Sequence, residues 1–225
     1  MRIVSFGCSL TYGEGITKND CYPYLTKPSE YSWPNIIGRD LLNNKYEVIN
    51  ESWPGASNKL ILYKIMNFDF RQDDIACIQF TFTGRDSLFK NEIKQRSDCN
   101  DFDIINPAPS IPTTSLSIKY YDIYDNYNLL INDLIYVNSI YEFIQNNKIK
   151  NICRFASNIK KQMGYDDCMF KVNKQFELDD SKETFYGISN KVDFDDRYGA
   201  DNAHYSIKVN QIIAEEYYRE LTNMV

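Results

Sequence analysis

One histidine stands among the 225 residues, and the chain has no Cys-x-x-Cys pair, no excess of basic charge and no long apolar run. Each shortage closes off a class of function. His204 has no second histidine to complete a zinc site, and the nearby Asp193, Asp195 and Asp196 lack the spacing of a calcium loop, so neither metal nor cofactor is expected. Lys and Arg number 25 against 31 Asp and Glu, giving a net charge of -6 and a pI near 4.9. Without a basic stripe, nucleic acid and anionic membranes are not expected partners. No apolar stretch approaches the roughly 18 residues that a membrane-spanning helix needs. The six cysteines, Cys8, Cys21, Cys77, Cys99, Cys153 and Cys168, read as free thiols in a reducing compartment, since a chain of this length does not need disulfides to hold its core. Residues 1–6 already read as a strand, which predicts no signal peptide and a cytoplasmic location.

What is present is a 43% hydrophobic chain, long enough for one sizeable core, and residues 1–225 are expected to form one domain. Strand and helix signals alternate, predicting an α/β fold with a central parallel sheet and helices on both faces. Strands are expected at residues 2–6, 46–50, 75–82 and 151–156, the third of them nearly all apolar and therefore central. Ser32-Trp33-Pro34 reads as a helix start, with Ser32 as N-cap. Helical spacing recurs in Ile61, Ile65 and Phe68, in Leu130, Leu134, Val137, Tyr141 and Ile144, and in Ile207, Ile212, Ile213 and Tyr217. Residues 87–125 are the least regular stretch and carry Asn106-Pro107-Ala108-Pro109-Ser110-Ile111-Pro112, so they read as an insertion. Following the third strand, this insertion is expected to form a lid, a substrate wall or a contact in a homo-oligomer. Residues 157–199 carry few periodic signals, with Phe185-Tyr186-Gly187-Ile188 reading as a short strand.

The chemistry-bearing residues lie at the two ends of the chain. Gly7-Cys8-Ser9-Leu10-Thr11-Tyr12-Gly13 follows the first strand, and flanking glycines let the backbone turn sharply enough to expose the Ser9 hydroxyl. A serine needs an imidazole to take its proton and a carboxylate to orient that imidazole. His204 is the sole candidate base, and Asp201, three residues earlier, is placed to accept from Nδ1. Both ends then meet if they lie at the carboxyl edge of the sheet, where open α/β folds bind ligands. The Ser9 amide and a second amide at Gly55, in the loop after the second strand, are candidate donors to an oxyanion. Cys8 is expected to point away from the base and pack. Aromatic clusters at Tyr22, Tyr24 and Tyr31, and at Tyr120, Tyr121, Tyr124 and Tyr127, read first as packing and second as a sugar-stacking surface.

These blocks resemble, in order, those of the SGNH hydrolases, the GDSL esterase and lipase superfamily. Ser9 falls on the nucleophile of the family's Gly-Asp-Ser-x-Thr-x-Gly, with Cys8 in place of its Asp. Asp201 and His204 match the Asp-x-x-His near the C-terminus, Ser32-Trp33-Pro34 resembles the helix start, and Gly55 resembles the second-block glycine. The third block departs: Gly84-Arg85-Asp86-Ser87 stands where the family has Gly-x-Asn-Asp, and an ionised Asp86 cannot donate to an oxyanion. Arg85 is expected to supply that donor, with Thr83, Thr81 and Asn58 as alternatives. The resemblance implies a flavodoxin-like three-layer domain and a metal-independent serine esterase. Ser9, Asp201 and His204 would be catalytic, and Ser9, Gly55 and Arg85 would form the oxyanion hole. It would cleave a small acyl ester or an acylated carbohydrate, O-acetyl groups first. The alternative is a catalytically weak SGNH-fold module that binds glycans or serves in a virion. Richness in Asn, Ile, Lys and Tyr matches AT-rich coding, as in a bacteriophage or a low-GC bacterium.

Overall fold

The computed structural model describes residues 1–21, 24, 26–82, 84–89, 102–105, 126–157 and 183–224. Among the described residues six strands run β1 (Arg2–Phe6), β2 (Glu47–Asn50), β3 (Ile75–Phe80), β4 (Asp86–Phe89), β5 (Phe102–Ile105) and β6 (Lys150–Phe155). β1, β2, β3 and β6 form a parallel sheet in the order β2-β1-β3-β6, in a register that pairs Ser5 with Asn50 and Phe6 with Ile78. All residues of β1 and β3 are buried, as two inner strands covered on both faces require, while β2 at the edge is partly exposed.

The helices are α1 (Ser9–Tyr12), α2 (Trp33–Ile36), α3 (Asn58–Asn67), α4 (Asn126–Asn146), α5 (Phe185–Ser189), α6 (Phe194–Arg197) and α7 (Ile207–Leu221). They cover both faces of the sheet, giving a three-layer α/β domain. Local chemistry explains the starts. Ser57 Oγ accepts from the Leu60 amide at the head of α3, and Ser206 Oγ accepts from the Val209 amide at the head of α7. Along α7, Val209, Ile213, Tyr217 and Leu221 recur every four residues and are all buried. Trp33, fully buried, lies flat on Tyr217 with ring centroids 4.2 Å apart and meets Phe185 edge-on. Truncating a tryptophan buried like this one to Ala costs about 3–5 kcal/mol.

Two expectations need correction. Residues 185–188 are not a strand: Thr184 Oγ1 accepts from the Gly187 amide, and Phe185 and Ile188 are both buried while Tyr186 between them is exposed, the one-sided pattern of a helical turn. Residues 87–125 are not wholly irregular either, because β4 and β5 pair antiparallel, Ser87 opposite Ile104. The Pro-rich run at 106–112 and the tyrosines at 22, 120, 121 and 124 lie outside the described residues.

At the amino-terminal edge of the sheet, buried Arg2 clamps Asp74, Nε donating to Oδ1 at 3.0 Å and Nη2 to Oδ2 at 2.5 Å. Among the described residues no helix is long and apolar enough to cross a membrane.

Candidate active site

At the carboxyl edge, β1 ends at Phe6 and Cys8 adopts an extended conformation as the N-cap of α1, so Ser9 opens that helix and is 4% exposed. The turn is held from beneath by Gln79. Its Oε1 accepts from the Cys8 amide at 3.1 Å and from Thr11 Oγ1 at 3.0 Å, while Trp33 Nε1 donates to Thr11 Oγ1 at 3.3 Å. A side chain at Gly7 would run into both Gln79 and Thr11. Cys8 is fully buried with Sγ 3.3 Å from Gln79 Oε1, so it packs. The sequence reading passed over Gln79. Its signal was a single amide in the otherwise apolar Ile75–Phe80 strand.

The loop after β2 is tied to the same turn. The Trp53 amide donates to the Gly7 carbonyl at 3.0 Å, the Glu51 amide to the Ser5 carbonyl at 2.9 Å, and Asn50 Nδ2 to the Thr11 carbonyl at 2.9 Å. Gly55 follows in the left-handed region at φ 73°. Neither the Ser9 amide nor the Gly55 amide has an acceptor among the described residues.

The third block is organised by Asp133 on α4, a second residue that sequence reasoning missed. Its Oδ2 accepts from the Gly84 amide at 2.8 Å and its Oδ1 from Asn58 Nδ2 at 2.9 Å, while Asn58 Oδ1 accepts from the Thr81 amide at 2.9 Å. Burial pushes the Asp133 carboxyl up to about 7 against the pull of those two donors. Asn58 thus spends one of its two amide hydrogens on Asp133 and its oxygen on Thr81. Asp86 is drawn aside, its Oδ1 3.4 Å from Lys59 Nζ and accepting from the Ser87 amide at 2.6 Å. Arg85 Nη1 donates to Thr81 Oγ1 at 3.1 Å, with its guanidinium 4.9 Å from the Phe82 ring centroid. Thr83 lies outside the described residues.

The loop before α7 brings in the other end of the chain. Asp201 Oδ1 accepts from the amides of Ala203 and His204, each at 2.9 Å, and Oδ2 lies 2.6 Å from His204 Nδ1. Burial would raise the Asp201 carboxyl, but these bonds and the imidazole outweigh it and hold it below its usual range. This loop sits on the segment that follows α1: the Ala200 amide donates to the Ile16 carbonyl at 3.3 Å. The Glu14 amide in turn donates to the Ser9 carbonyl at 3.1 Å. The Asp201–His204 pair therefore lies against residues 14–16, the segment that follows α1. Ser9 and His204 share no hydrogen bond; the Nε2 edge of the imidazole faces Glu14 Oε2 at 3.5 Å. Burial raises the Glu14 carboxyl, against the pull of His204 and Arg85. Among the described residues no group of His, Cys, Asp and Glu could hold a metal ion.

No family model matches the chain, and no curated protein matches it in sequence. Solved structures do match over its length. TesA aligns over 100% of both chains with a TM-score of 0.56 at 10% identity. The acetyl xylan esterase AlAXEase aligns over 98% of this chain and 99% of its own, with a TM-score of 0.53 at 12% identity. The fold is that of the SGNH hydrolases. The lipase Lip_vut3 from a goat rumen metagenome shares it too, with a TM-score of 0.52 at 15% identity over 96% of this chain and 95% of its own. At these identities the likeness is one of fold, and the chemistry of this SGNH-fold chain rests on its own residues.

Proposed function

We propose that the protein is a metal-independent serine esterase that removes short acyl groups, O-acetyl first, from a small ester or an acylated carbohydrate. The observation that carries this reading is the Asp201–His204 pair, Nδ1 to Oδ2 at 2.6 Å, seated on the segment that leaves Ser9. Asp201 fixes the tautomer with hydrogen on Nδ1, so Nε2 is the basic edge. Ser9 Oγ attacks the ester carbonyl while its proton passes to Nε2. The Ser9 and Gly55 amides and the Arg85 guanidinium receive the developing oxyanion. The proton then goes from Nε2 to the leaving alcohol, and an acyl-Ser9 ester remains. Water attacks that ester with His204 again as base, releasing the acid and restoring Ser9. The acetyl xylan esterase among the similar structures supports an acylated carbohydrate as substrate class.

A second reading follows from the same site. With Nε2 turned to Glu14 and an aspartate in the third block, a glycan-binding module on the hydrolase fold is the alternative. Acetate release from p-nitrophenyl acetate and from O-acetylated xylan separates the two. The esterase gives turnover with the wild type and a drop of about 10³-fold or more in Ser9→Ala and His204→Ala. A chain that binds acetylated xylan without releasing acetate from either substrate supports the module.

A further inference from the structure

Ser9 and His204 sit on separate elements and share no hydrogen bond, so their approach depends on what fixes those elements to each other. The loop that carries His204 is held ahead of the histidine by the Ala200 amide on the Ile16 carbonyl. Beyond the histidine, Asn210 of α7 takes over. Its Nδ2 donates to the carbonyls of Tyr205 at 3.4 Å and Ser206 at 3.0 Å, the two residues that follow His204. Its Oδ1 accepts from the Trp33 amide at 3.1 Å, at the head of α2. A helix start leaves that amide without an internal partner. Ser32 stands at the N-cap but does not supply one: its buried hydroxyl has no hydrogen-bond partner among the described residues. The partner comes from α7 instead.

Trp33 carries the connection onward. Its ring lies on Tyr217, two turns along α7 from Asn210, so amide and ring are both fixed to one helix. Its Nε1 donates to Thr11 Oγ1 at 3.3 Å, and the Thr11 hydroxyl donates to Gln79 Oε1 at 3.0 Å. The same oxygen accepts from the Cys8 amide at 3.1 Å, one residue before Ser9. The directions are forced, since an indole nitrogen only donates and an amide oxygen only accepts. Asn210, Trp33, Thr11 and Gln79 are all buried, which keeps water from competing for these bonds. We infer that Asn210, Trp33 and Thr11 are positioning residues that form one buried hydrogen-bonded strut, setting the His204 loop against the Ser9 turn. The esterase chemistry gives none of them a step, and the inference rests on that reading only for its effect on rate.

Thr11→Val and Asn210→Ala break the strut at two separate bonds and leave Trp33 in place. Independent effects on rate would multiply in the double variant. With p-nitrophenyl acetate each single variant is expected to lower kcat about 10-fold with a smaller change in KM, and the double variant to lose about 10-fold in total, not about 100-fold, because a strut cut once is already open. Thr11→Ser keeps the hydroxyl and should keep kcat. Trp33→Phe keeps a ring on Tyr217, removes the indole donor and should match Thr11→Val. A second readout needs no turnover. Because His204 is the sole histidine, its ¹⁵N imidazole resonances are unambiguous, and Thr11→Val and Trp33→Phe should both move them from the Ser9 side of the strut. Effects on kcat that multiply in the double variant, or His204 resonances unmoved in both variants, overturn the strut. An inert wild type whose His204 resonances respond sinks the esterase and keeps the strut, whereas an active enzyme whose resonances stay put does the reverse.

Discussion

Gly15 packs its bare Cα against the carboxylate of Asp201. A β-carbon there would overlap all three carboxylate atoms, and the residue's φ of 73° is one that side chains resist. This contact lets the loop that carries His204 lie close against the segment that follows α1. Gly15→Ala is expected to keep the fold, read by circular dichroism, and to lower kcat about 10²-fold by pushing Asp201 and His204 off line, since a displacement near 1 Å suffices for such a loss. A variant with wild-type kcat would mean that the loop is not positioned through this contact.

Asp133 ties α4 to both the Gly84 loop and the start of α3, and its raised carboxyl makes the tie pH-dependent. The folded chain holds the Asp133 proton up to about 7, whereas an unfolded aspartate releases it near 4. Between those values the unfolded state binds fewer protons, so rising pH erodes stability through this group. The urea midpoint of the wild type should fall from pH 5 to pH 8, and Asp133→Asn should remove that part of the slope. The asparagine also turns an NH₂ toward one of two buried donors, so the variant should be less stable at pH 5 by about 1–3 kcal/mol. Equal slopes in the two proteins would exclude Asp133 as the source.

Asp86 and Arg85 test how the third block works. With the Asp86 carboxylate held by Lys59 and the Ser87 amide, Asp86→Asn is expected to leave kcat within about 3-fold of wild type, well short of the 10²-fold loss that removal of an oxyanion donor can bring. Arg85→Ala should lower kcat about 10-fold or more with a smaller change in KM, the mark of a contact made in the transition state. If Arg85→Ala changes KM alone, Arg85 binds substrate and the oxyanion is held by the Ser9 and Gly55 amides without it.

Much of the fold was legible because inner parallel strands and one-sided helices leave strong patterns. The run Ile75–Phe80 announced a central strand, and four-residue spacing from Val209 to Leu221 announced the last helix. Phe185–Ser189 misled because one helical turn is too short to show a period, and its cap, Thr184, lies just before the apolar pair. In the candidate site, Ser9, Asp201 and His204 announced themselves by motif and by the uniqueness of the histidine. Gln79 and Asp133 did not. Each acts through a contact with a residue remote in sequence or on a separate element, Gln79 with Cys8, Asp133 with Gly84, and no local pattern encodes such a pairing.

The central claim, that Ser9 is a nucleophile activated by His204, is tested most directly by mass spectrometry of the chain after treatment with a fluorophosphonate. One phosphonyl group should add per chain, map to Ser9, persist in Cys8→Ala and disappear in Ser9→Ala, with labelling slowed sharply in His204→Ala. Labelling that survives Ser9→Ala, or a wild-type chain that stays unlabelled at pH 8, would contradict the serine mechanism.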